Sequence, residues 1–196
     1  MKSPLGFAMP VILSAALLFT LILTLGTPGS ALADETIQAR LRGFEEVIPA
    51  STIGAISTGA KGQFRGKINE DGTEIQYELS YTGIETAVTQ AHIHFGQQHT
   101  QGGISVFLCQ TATVADPTGL APICPAQAGT VTGTLSTANV IGPANQGIAA
   151  GEFAELLRAI RGGVTYVNVH STRFPSGEIR GQAEVRHEHG DHGDDD

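Results

Sequence analysis

Two histidines two residues apart, His92 and His94, sit in the apolar run "AHIHF", and a third, His170, closes the run "TYVNVHS". Neutral imidazole nitrogens bind late first-row metals, copper and zinc in particular. In an extended strand successive side chains alternate faces, so His92 and His94 point one way while Ala91, Ile93 and Phe95 point the other. Two histidines from one strand and a third from another make a three-nitrogen site. His92, His94 and His170 are therefore the expected metal ligands, with copper or zinc as the ion. The same alternation sets Tyr166, Asn168 and His170 opposite Val167 and Val169. It sets Glu178, Arg180 and Gln182 opposite Ile179, Gly181 and Ala183. Asn168, Glu178 and Arg180 are thus expected in a polar cluster, with Glu178 or Glu152 neutralising Arg180. Such a cluster also has a purely structural use, fixing strand register, provided its hydrogen bonds are satisfied. The residues leave both readings open. No Ser-His-Asp ordering, no H-E-x-x-H and no glycine-rich phosphate loop is present, so hydrolase and nucleotide chemistry have no support and no catalytic residue is assigned.

The elements that must carry these residues are mostly strands. "IQARL" alternates, "GQFRGKI" puts Phe64, Gly66 and Ile68 on one face, and "IQYELSY" alternates as Ile75, Tyr77, Leu79, Tyr81. The last two runs are joined through Asp71-Gly72, which predicts a β-hairpin. "AVTQAHIHF", "GISVFLC", "TVTGTL", "GVTYVNVHS" and "GEIRGQAEV" read as further short strands between turns rich in Gly, Pro and Asn. One segment has helical period: Phe153, Leu156, Leu157 and Ile160 fall at i, i+3, i+4, i+7, with acids early, arginines late and Gly162-Gly163 after. About eight short strands with regular turns predict an all-β, antiparallel Greek-key sandwich or barrel with one short helix.

Residues 1–33 read as a signal peptide: Lys2, an apolar stretch from Val11 to Leu25, then Ala31-Leu32-Ala33 before the expected cut. Export makes a disulfide the simplest reading of the two cysteines, Cys109 and Cys124, and closing that loop stabilises by about 3 kcal/mol on the chain-entropy estimate. The β-domain is expected over 34–183. A disordered His/Asp-rich tail is expected over 184–196, its histidines a weak metal sink at most. The chain has 11 Lys and Arg against 19 Asp and Glu, a net charge of −8. Much of the acid lies in the tail, so the body is only mildly acidic. No basic patch is legible in the sequence, and neither nucleic acid nor, after signal cleavage, a membrane is expected as partner.

Three stretches together carry a resemblance: "GFEEVIP" early, "AHIHFG" in the middle, and "YVNVHSTRFPSGEIRGQ" late. They resemble the CHRD (chordin-type) domain, in its single-domain bacterial exported form, from about Thr36 to Ala183. The resemblance implies an all-β, immunoglobulin-like or barrel fold and no agreed catalytic role. "HIHFG" also resembles, more weakly, the H-x-H-x-F-G copper-ligand stretch of Cu/Zn superoxide dismutases, where a later His and an Arg follow in the same order. That family's bridging histidine and zinc-loop ligands have no counterpart here. His99 is the nearby spare imidazole, and the cysteine spacing differs. The expectation is a secreted or periplasmic binding or structural module with a histidine metal site, its partner a protein or a surface polymer. The alternatives are a copper-dependent oxidoreductase resembling superoxide dismutase and a metal carrier that uses the tail.

Overall fold

The computed structural model of the chain describes residues 35–48 and 54–187. The expected signal peptide, 1–33, and the tail from residue 188 onward lie outside the described residues. The predicted hairpin forms as β2 (Lys61–Ile68) and β3 (Ile75–Thr82), in register from Lys61 opposite Thr82 to Ile68 opposite Ile75. Its turn is tied by Asn69, whose Oδ1 accepts from the backbone N–H groups of Thr73 and Glu74, while Gly72 takes the positive φ of +64°. β2 also pairs with β1 (Glu35–Arg42), and β3 with β6 (Gly129–Leu135).

The remaining strands are β4 (Val88–Phe95), β5 (Gly103–Cys109), β7 (Thr165–Ser171), β8 (Ile179–Gln182) and β9 (Glu184–His187). All pairings are antiparallel, in the order β5-β4-β7-β8-β1-β2-β3-β6, with β9 alongside β1. The pairs β4–β7, β8–β1 and β3–β6 are distant in sequence, so long crossovers and not hairpins set the layout. The end strands β5 and β6 face each other without pairing, so the sheet is nearly closed into a barrel. Tyr77 braces the gap: its hydroxyl donates to the Leu108 carbonyl at 2.7 Å, and a Cβ on the facing Gly133 would lie 2.7 Å from that hydroxyl.

The interior holds the predicted apolar rows: Ile37, Phe64, Ile75, Leu79, Ile93, Val167, Val169 and Ile179 are all buried. The helix α1 (Phe153–Arg161) buries Phe153, Leu156, Leu157 and Ile160, as its period requires, and Arg161 pairs with Glu35 at 2.7 Å. Cys109 and Cys124 are joined in a disulfide. It fastens the loop after β5, which is organised round buried Asp116, acceptor to the N–H groups of Thr118, Leu120 and Ala121. No helix among the described residues is long and apolar enough to cross a membrane.

Two expectations need correction. The run "GEIRGQAEV" is two strands, β8 and β9, separated at Ala183. Residues 184–187, expected within the disordered tail, are β9, with Val185 opposite Ile37 and Arg186 opposite Thr36. Apolar periodicity is a poor signal for so short a strand, whose order comes from a neighbour's open hydrogen-bonding edge.

Candidate metal centre

The polar rows of β4, β7 and β8 become one surface because these strands are neighbours. His92 lies opposite Asn168, His94 opposite Tyr166, and Asn168 opposite Arg180. Against β5 the register of β4 slips on either side of Ile93, beside both histidines; such irregularities re-aim side chains and collect near sites. This surface is on the outside of the barrel, yet it is buried. His92 is 0 % exposed, His94 8 % and His170 7 %.

One ring nitrogen from each of His92, His94 and His170 lies within 4.8 Å of one from each of the others. Their surroundings dictate the tautomers. His94 Nδ1 is 3.0 Å from the Gly102 carbonyl and His170 Nδ1 is 3.0 Å from the Pro175 carbonyl. A carbonyl only accepts, so both Nδ1 atoms carry the proton and both Nε2 atoms present lone pairs. His92 Nδ1 sits 3.2 Å from His170 Nε2. Without a metal it donates to that lone pair, which leaves His92 Nε2 buried and unpartnered; His94 Nε2 is unpartnered as well. Two nitrogens on one tetrahedral zinc or copper, each at about 2.0–2.1 Å, are about 3.3 Å apart. The His92 Nδ1–His170 Nε2 pair already has that spacing, and His94 offers its nitrogen within 4.8 Å of a nitrogen on each of the others. Backbone carbonyls on the far nitrogens are the usual means of orienting metal-binding imidazoles.

Burial lowers all three histidine pKa values, His94 to about 3, His170 to about 4, and His92 well below the ordinary 6.5. For His92 the neighbouring His170 and His94 add to the effect. Neutral imidazoles at physiological pH are the form a metal needs. His92 packs edge-on against Phe107, and His94 stacks face-to-face on Tyr166 at 4.7 Å. Arg180 lies over the other face of Tyr166, 3.4 Å from the ring centre.

Arg180 is 2 % exposed and serves as the pin for the covering loop, donating to the carbonyls of Thr100 (2.7 Å) and Gln97 (3.1 Å). Its acidic neighbour is neither of the residues expected. Glu178 turns away to Thr58, Ser171 and the Glu85 N–H, and Glu152 accepts from the Ala149 N–H at the start of α1. The alternation that placed Glu178 beside Arg180 holds only inside a strand. Glu178 precedes β8 and follows Gly177, whose φ of +127° redirects the chain. The nearby carboxyl belongs to Glu46, 3 % exposed, which accepts from Asn168 Nδ2 at 2.6 Å and the Val47 N–H at 3.1 Å. Burial raises Glu46 to about 7, against the opposing pull of the Val47 bond, the Arg180 charge and the Asn168 amide. Sequence reasoning gave Glu46 no role. Its only signal was its place in "GFEEVIP". His99 is exposed and outside the cluster.

Fold and site together define a small antiparallel barrel whose outer face seals a three-histidine cluster under loops. The chain belongs to the CHRD domain family: that family's model matches residues 37–183. No curated protein and no solved structure matches it in the comparisons made.

Proposed function

We propose that this CHRD-domain protein is an exported binding or structural module built round a buried copper or zinc centre at His92, His94 and His170. The observation that carries the metal reading is the convergence of three neutral ring nitrogens with two Nε2 atoms buried and unpartnered. Buried polar atoms without partners are costly, about 1–3 kcal/mol each, and a metal ion on the converging nitrogens relieves that of His94 Nε2. The carbonyls of Gly102 and Pro175 hold two of the rings, Phe107 and Tyr166 fix their planes, and Arg180 keeps the loop closed over them. Export is supported by the leader-like first 33 residues, and the Cys109–Cys124 disulfide suits an oxidising compartment.

A copper-dependent oxidoreductase is the second reading. The observation on its side is the ligand number: three protein nitrogens leave a coordination position for water or a small substrate.

Elemental mass spectrometry of the mature chain ended after His187, which keeps β9 and removes the distal tail histidines, tests the centre. About one copper or zinc per chain, lost in His92→Ala/His94→Ala, is the expected result. A metal-free wild type after copper and zinc loading would refute it. Loaded protein with no superoxide-dependent turnover would remove the second reading and leave the first.

A further inference from the structure

The basic side chains, scattered in the sequence, gather on one face. Arg40, Arg42, Lys61, Arg65, Lys67 and Arg186 make up more than half of the 11 lysines and arginines. All six stand on the outer side of β1, β2 and β9, and all are exposed. The register makes them neighbours: Arg42 faces Lys61, Thr36 faces Lys67 on one side and Arg186 on the other, and Gln38 faces Arg65. Two acids lie among them, Glu78 opposite Arg65 and Glu184, which is 3.5 Å from Arg186; Glu45 stands at the margin. Among the described residues Arg40, Arg42, Lys61 and Arg65 take part in no ion pair. The expectation of no basic patch is thereby overturned, since strand pairing builds a patch that linear spacing conceals.

We propose that this face binds an acidic linear polysaccharide. Arginines two apart on a strand are about 6.8 Å apart and rows on adjacent strands about 4.8 Å, a ladder suited to repeated carboxylates, which arginine takes bidentately. Between the charges stand Gln38, Gln63 and Gln76, amides suited to sugar hydroxyls. A cleft of about 420 Å³ deepens the face, its three arginines, Arg40, Arg42 and Arg186, outnumbering its two acids, Glu45 and Glu184. A single-stranded nucleic acid calls for successive aromatic platforms. These strands expose none, and Phe44 at the margin is the one large exposed aromatic among the described residues. A membrane would call for an apolar rim, which these strands also lack. The net charge of −8 does not forbid the contact, because at physiological salt charges act over about 8 Å and the local face decides.

The inference deepens the binding-module reading by naming its partner class, and it is independent of the metal. The test is titration of the full mature chain with polygalacturonate at low salt, with neutral dextran, single-stranded DNA and phosphatidylserine vesicles alongside. Binding to polygalacturonate that weakens with salt is expected. Arg40→Gln/Arg42→Gln/Arg65→Gln should weaken it by about tenfold or more. The charge-matched Arg158→Gln/Arg161→Gln/Arg173→Gln should bind as wild type, and the same first three positions changed to lysine should recover only part of the affinity, because lysine keeps the charge without the bidentate fork. No binding by wild type, equal loss in both glutamine triples, or tighter binding to DNA or vesicles would overturn the proposal. Metal content, measured on the same samples, should not change. Polymer binding lost with metal intact therefore concerns this face alone, and metal lost with polymer binding intact concerns the centre alone.

Discussion

The β2–β3 hairpin and the β4–β7 pair obey the same two-residue alternation and end in opposite environments. In β3, buried Ile75, Tyr77, Leu79 and Tyr81 alternate with Gln76, Glu78, Ser80 and Thr82, which reach or approach water. In β7 every residue from Thr165 to Ser171 is buried. The polar row of β7 is not solvated. It is roofed by the loop 96–102, by Pro175 to Gly177, and by the segment that carries Glu46. A polar face in water needs no partner. A polar face under a roof needs every partner supplied, and here the supply stops at His92 Nε2, His94 Nε2 and Asn168 Oδ1.

If that contrast is right, equivalent changes in the two regions have unequal effects. The largest is expected for Arg180→Ala, which strips Glu46 of its cation and leaves the Gln97 and Thr100 carbonyls without their donor. A loss of about 3 kcal/mol follows, chiefly from two partly buried carbonyls left without a partner. Arg173→Ala removes an exposed pair with Glu85 and should lose less than about 1 kcal/mol. Equal denaturation midpoints for the two would mean the roof does not seal. Next is Gly177→Ala. Its Cβ would meet Asn168 Nδ2 at 2.3 Å and Glu46 Oε2 at 2.4 Å, at a φ of +127°, for a loss of about 2–3 kcal/mol. Gly72→Ala, in the hairpin turn, meets nothing nearer than 3.7 Å and should lose about 1 kcal/mol from its positive φ alone. Chemical denaturation of both variants checks the ranking.

A smaller, pH-dependent effect should separate the sealed region from the solvated one. The three histidines have lowered pKa values in the folded protein, so between about pH 4 and the ordinary 6.5 the unfolded chain binds more protons, and acid costs stability. Glu46 acts the other way. Raised from 4.5 to about 7, it binds a proton in the folded state first, so its contribution grows as pH falls through that window. With three groups against one, metal-stripped protein should melt about 5 °C or more lower at pH 5 than at pH 7. Glu46→Gln should steepen the fall. A melting temperature that rises on acidification would show that the imidazoles are not held neutral. The smallest effect belongs to the solvated row: Glu78→Ala, opposite Arg65, should stay within about 0.5 kcal/mol in the same denaturation assay.

The local part of this protein was legible in its residues. Alternation identified which side chains share a face, Asp71-Gly72 marked the hairpin, Phe153 to Ile160 marked the helix, and the two cysteines implied their bond. Each of these depends on neighbours a few residues away or on there being just one pairing to choose. Local pattern alone thus specified the helix, most of the strands and the shared face of His92 and His94. Strand order and packing, by contrast, put β4 between β5 and β7, laid loops over the histidine row, set Glu46 and not Glu178 beside Arg180, and merged the bases of β1, β2 and β9 into one face. The reason is physical. A strand's period is written in its own backbone, but what its outer row meets depends on strand order and on covering loops. Those come from crossovers that join residues some 80 to 120 positions apart, as in Arg180 to Gln97 and Asn168 to Glu46.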